Sequence, residues 1–154
     1  EDAYLRARVE KDEKYNLTRA SASSEVITGL SNLHFFSPLK GIVSGKYDAS
    51  TKHFGTDIVT KPKALVSSIL EGTVIFTGWT TETGFVIAIQ HPNNIVSVYK
   101  HNSGLLKETG DIVRAGDAIA EVGDSGERYT SGPHLHIEIW YKGSSLDPEK
   151  HISF

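Results

Sequence analysis

Two pairs of residues have the types and spacing that could close around a metal ion. His53 and Asp57 stand four apart in His53-Phe54-Gly55-Thr56-Asp57, and His134 and His136 stand two apart in Gly132-Pro133-His134-Leu135-His136-Ile137-Glu138. Either pair alone would arise easily by chance. Together they offer two imidazoles and a carboxylate, the usual donor set of a catalytic zinc that keeps one position for water. One carboxylate leaves such a site with a charge of about +1, which favours a polarised water of lowered pKa. Cys is absent, so a closed thiolate site is excluded. Hydrolysis by such a water also needs a proton acceptor and later a donor. No His-Glu-x-x-His helix exists to supply a Glu base. The candidates are His134, beside the proposed ligand, and His101 in Tyr99-Lys100-His101, because imidazole titrates near working pH.

The elements around these residues must place them. From His134 to Tyr141 the sequence alternates as a strand, so His134, His136, Glu138 and Trp140 share one face and Leu135, Ile137, Ile139 and Tyr141 the apolar other. Glu138 then lies where it could orient a neighbouring His. Gly132-Pro133 sets the entry into this strand, and Gly55 is expected to let the backbone curve between His53 and Asp57. Further short β-rich runs are Gly41–Tyr47, Ala64–Ile69, Gly72–Thr77, Phe85–Gln90, Ile95–Tyr99 and Ile119–Val122. His91-Pro92-Asn93-Asn94 should close a hairpin between Thr83–Gln90 and Ile95–Lys100. Nothing after Leu33 sustains a helical period, which predicts an all-β body of many short strands. We place an N-terminal helix and linker in residues 1–32 and one domain in 33–154. His34, His91 and His151 have no matched partners and read as surface or satisfied structural histidines.

Composition narrows the function classes. The 154 residues carry 16 basic and 19 acidic side chains, a formal charge of −3, so nothing marks nucleic acid as a partner. No apolar run approaches a bilayer span. The chain opens at Glu1 without Met, and any signal peptide or membrane anchor is expected upstream. Lys107–Gly123, with turns at Gly110-Asp111 and Gly116-Asp117, resembles the hammerhead phrase of biotinyl- and lipoyl-type carrier domains. Met is absent and neither Lys61 nor Lys63 has the neighbours of a carrier site, which argues against that reading.

Taken in order, His-x-Gly-x-Asp, Tyr-x-His, Gly-Asp-x-Val-x-x-Gly and Gly-Pro-His-Leu-His-x-Glu resemble the lysostaphin/LytM-type zinc peptidases over roughly Phe36 to Pro148. The resemblance implies a duplicated-hybrid-motif β fold, one Zn2+, and hydrolysis of peptide cross-links in bacterial cell-wall peptidoglycan. Stem peptides would be the partner, and the cell envelope, periplasmic or secreted, the location. It also implies His53, Asp57 and His136 as zinc ligands and His101 and His134 as the catalytic pair, without saying which is the base. A rival expectation is a non-catalytic wall-binding or regulatory module on the same fold. Three positions depart from the family pattern: Gly45-Lys46-Tyr47 lacks an Arg, Thr60-Lys61-Pro62-Lys63-Ala64 follows the Asp, and Asn102 replaces a Leu after Tyr-x-His.

Overall fold

A computed structural model describes Leu30 and residues 33–123 and 132–154. Its strands are β1 (Ile42–Gly45), β2 (Thr56–Val59), β3 (Leu65–Ser67), β4 (Gly72–Thr80), β5 (Gly84–His91), β6 (Ile95–Leu105), β7 (Ile112–Val113), β8 (Ala118–Val122), β9 (His134–Tyr141) and β10 (Ser144–Leu146). Every strand pairing is antiparallel. The main path runs β1-β2-β9-β6-β5-β4-β7, with β10 on β9 and β8 bridging β3 and β6. The body is all-β, as the short Val/Ile/Thr-rich runs predict. The N-terminal helix expected from the sequence lies outside the described residues.

The β5–β6 hairpin forms around Pro92–Asn94, where Asn93 and Asn94 take φ of 65° and 63°. Asn tolerates that left-handed backbone better than most residues. β6 then does something the sequence pattern does not announce. Its first part pairs with β9 as far as Lys100↔His136, and its last part pairs with β8 from Asn102↔Val122. On the β5 side, Phe85 faces Asn102 and Ile87 faces Tyr99, so Lys100 and His101 together oppose Val86 alone. This is a β-bulge, and it sits where the strand changes partners.

The alternation of β9 separates two cores. Leu135, Ile137 and Ile139 join the larger one with Ile58, Ile87, Ile89, Ile95 and Tyr99. Trp140 joins a smaller one on the opposite face with Val86, Ala88, Val96 and Val98. Each fully buried Ile contributes on the order of 1.5–3 kcal/mol, so β9 cannot slip by one residue without exposing its whole apolar set. That register holds His134, His136 and Glu138 in place.

Candidate metal centre

β2 and β9 pair with Asp57 opposite His136, which brings the two distant motifs together. One ligand atom from each of His53, Asp57 and His136 lies within 4.8 Å of the others. Asp57 bridges the two rings: its Oδ2 is 3.0 Å from His53 Nε2 and its Oδ1 is 2.7 Å from His136 Nδ1.

The outer nitrogens decide what the inner ones can do. His53 Nδ1 lies 2.6 Å from the Lys46 carbonyl, an acceptor, so this nitrogen carries the hydrogen. His136 Nε2 donates to Glu138 Oε2 at 2.8 Å. With both rings neutral, Nε2 of His53 and Nδ1 of His136 present lone pairs, and both point at a carboxylate. Three acceptors meeting at one point call for a cation. The same demand appears in the protonation of His136. Burial opposes its charge, but Asp57 and Glu138 on either side raise its pKa to about 9. A proton meets the demand in the bare protein; a divalent ion held by two imidazoles and a carboxylate fits the donor set better.

Two glycines make room for this arrangement. A Cβ on Gly55 would fall 2.7 Å from His136 Nε2 and 2.5 Å from the Ile137 carbonyl oxygen, and one on Gly45 would fall 2.6 Å from Asp57 Oδ2. Gly55 lies at a bend of the backbone, as expected, and its missing side chain also permits this close approach.

His134 is 2% exposed. Its Nδ1 donates to the Gly132 carbonyl at 2.9 Å, which leaves a lone pair on Nε2. That atom is buried without a hydrogen-bond partner among the described residues, and an orphaned buried acceptor marks a place for something else to bind. His101 has φ 69° on the bulge, and its ring centroid is 4.8 Å from that of His134 and 6.1 Å from that of His136. Asn102, one of the departures noted above, is fully buried. Its amide donates to the carbonyls of Phe85 at 3.0 Å and Tyr99 at 3.1 Å, pinning both sides of the bulge that carries His101.

Sequence reasoning left Lys100 and Trp140 without roles. Lys100 is 4% exposed, with its Nζ 3.1 Å from Glu138 Oε2, and Trp140 Nε1 donates to Glu138 Oε1 at 2.9 Å. Burial works against the Glu138 charge, yet the His136 hydrogen bond and Lys100 hold its pKa down to about 2. The available signal was the shared face of β9, which lists Trp140 beside Glu138. Away from the centre, His34 is exposed and His151 is half-buried against the Phe35 ring. His91 is buried and bonded through both nitrogens.

Residues 51–148 match the model of peptidase family M23. The chain is similar to the murein hydrolase activator NlpD of Escherichia coli, 32% identical over 117 residues that cover 75% of this chain and 30% of the relative. Among solved structures it is similar to a zinc containing peptidase from Vibrio cholerae, at 28% identity and TM-score 0.58 over 73% of this chain and 36% of that one. It is also similar to the antimicrobial peptidase lysostaphin from Staphylococcus simulans, at 26% identity and TM-score 0.60 over 74% of this chain and 48% of that one. The chain spans 26%, 34% and 30% of the length of the first three curated relatives. The matched span contains His53, Asp57, His134 and His136 and the bulge between them, and the chain belongs to peptidase family M23.

Proposed function

We propose that the chain is a zinc-dependent endopeptidase that hydrolyses peptide cross-links of bacterial cell-wall peptidoglycan in the cell envelope. The observation that carries this reading is the convergence of the Asp57 carboxylate with the lone pairs of His53 and His136, beside a buried His134 nitrogen with no partner among the described residues. His53, Asp57 and His136 would hold one Zn2+. Zinc bound there supplies Lewis acidity towards a carbonyl and acidifies the water it takes up.

The chain's own groups do the rest. His134, with its Nδ1 hydrogen committed to Gly132, has only Nε2 available and acts there as the base that takes a proton from water. His101 stands beside it and donates to the developing oxyanion or the leaving amine. Glu138, fixed by Lys100 and Trp140, accepts from His136 Nε2 and keeps Nδ1 turned to the metal. The Asn102 side chain sets the bulge and so the spacing of the two catalytic histidines.

The test is digestion of purified sacculi by zinc-loaded protein, with a chelator control and mass spectrometry of the released peptides. Release by the parent protein and not by His134→Ala, with zinc content equal in both, is the expected result. Equal digestion by the variant overturns the role of His134. A second reading, a non-catalytic activator of murein hydrolases, is supported by relatives that carry that name. It predicts no release by the zinc-loaded protein alone and faster release when a separate hydrolase is added.

A further inference from the structure

The three proposed ligands are not held alike. Asp57 and His136 face each other across the β2–β9 ladder, and their side chains are only 5% and 11% exposed. His53 belongs to neither strand. It ends the turn between β1 and β2, with its side chain 22% exposed. The helical turn just before it, Ala49–Thr51, buries no residue, and Lys46, Asp48 and Lys52 are exposed as well. A segment with so little apolar burial opens easily, so hydrogen bonds must decide where His53 points.

Most of those bonds are internal to the turn. The Lys46 carbonyl accepts from His53 Nδ1, and Asp48 and His53 exchange two backbone bonds of 2.9 Å. Asp48 Oδ1 accepts from Ser50 N at 3.0 Å and from Ser50 Oγ at 2.6 Å. These bonds give the turn its shape and not its place on the molecule. Tyr47 is different. It alone among residues 46–52 is partly buried, and its hydroxyl lies 2.6 Å from Ser145 Oγ. Among the described residues, this is the one side-chain hydrogen bond that ties 46–52 to a distant part of the chain. Ser145 stands on β10 opposite Trp140 of β9. Trp140 in turn donates to Glu138, and Glu138 accepts from His136. The Tyr47 hydroxyl therefore closes a circuit from one ligand to another, outside the β2–β9 ladder. It does so within Gly45-Lys46-Tyr47, where the sequence departs from the family pattern.

We propose that Tyr47 is a positioning residue for the metal: its hydroxyl, bonded to Ser145, braces the turn that presents His53 against the hairpin that carries His136. This rests on the zinc site proposed above. With the bond made, the metal-free turn already directs His53 Nε2 at the Asp57 carboxylate. Without it the turn samples other positions, and the competent one must be recovered each time zinc binds, which lowers the apparent affinity by the fraction of protein that is competent. The turn from 46 to 52 contributes no side chain to either core, so the body of the fold does not depend on it.

The experiment measures zinc affinity by chelator competition for the parent and four variants, at a temperature where circular dichroism shows all of them folded. Under that condition affinity is blind to a loss of global stability, so a merely structural role for Tyr47 would leave it unmoved. Tyr47→Phe and Ser145→Ala should each weaken zinc binding about fivefold, the size of one net hydrogen bond between neutral groups. Tyr47→Phe/Ser145→Ala should be no weaker than either single variant, because both remove the same bond. Ser145→Thr keeps a hydroxyl on β10 and should stay within about twofold of the parent. Parent affinity in both single variants overturns the inference and leaves the zinc site intact. A double variant whose loss is the product of the two single losses overturns it as well, and so does Ser145→Thr binding as weakly as Ser145→Ala. Failure of the parent protein to bind zinc overturns the zinc site and the brace together.

Discussion

Two buried histidines, His91 and His136, have partners on both ring nitrogens and opposite fates. His91 lies between the Glu71 carbonyl, 2.7 Å from Nδ1, and the Ser97 hydroxyl, 2.6 Å from Nε2. The chain continues to the Tyr99 hydroxyl 2.8 Å further on, which accepts from the Ile69 amide at 3.1 Å. Burial pushes the His91 pKa down to about 4 and that of Tyr99 up to about 12, so every member is neutral. Each donor there meets an acceptor, and nothing is left over for a ligand. His136 lies instead between two carboxylates that overcome its burial and raise its pKa to about 9. The contrast separates a polar network that completes a core from one built to receive a cation.

Breaking the cation side should have the largest effect. Asp57→Ala removes the group that both imidazoles share, and zinc content measured after dialysis should fall to background. Peptide release should drop at least a thousandfold with it, whereas His91→Gln should leave zinc and turnover near the parent values. Next in size is the pH dependence of stability. His91 has a lowered folded pKa, so the unfolded chain takes up more protons between pH 6.5 and 4. Its contribution is full above 6.5 and lost as pH falls through 4, a change of about 3 kcal/mol. His136 has the opposite sign: in metal-free protein its contribution is full below 6.5 and lost as pH rises through about 9. Urea titrations across that range should show both slopes. His91→Gln should flatten the acid one, and zinc, which takes the place of the proton, should remove the alkaline one.

Smaller changes sharpen the same contrast. Gly55→Ala drives a methyl against His136 and the β9 backbone, and should cost about 1–3 kcal/mol of stability together with a measurable loss of zinc affinity by chelator competition. Asn102→Leu removes the two bonds that pin the bulge and should cost about 1–2 kcal/mol. Turnover should fall more than zinc affinity, because the bulge carries His101 and no ligand.

Much of this was legible in the residues. The period of two from His134 to Tyr141 places the histidines and Glu138 on one face, and β9 has those limits. The His53-to-Asp57 spacing and the hairpin at Pro92 were equally readable, since each is local. What escaped depends on partners far along the chain. Thr56–Val59 is four residues long with an Asp inside, and only pairing with β1 and β9 makes it a strand. The bulge at His101 exists because β6 answers to β9 before it and to β8 after it. Lys100 has no role readable from the sequence, because its buried counter-ion Glu138 lies on a neighbouring strand.

The doubled residue opposite Val86 has one more consequence. Deleting either Lys100 or His101 would shorten β6 without touching a single proposed ligand, yet everything downstream would be thrown to the wrong side of the sheet or off its partner. The closeness of the His101 and His134 rings therefore depends on a counting error in the pleat, one residue too many.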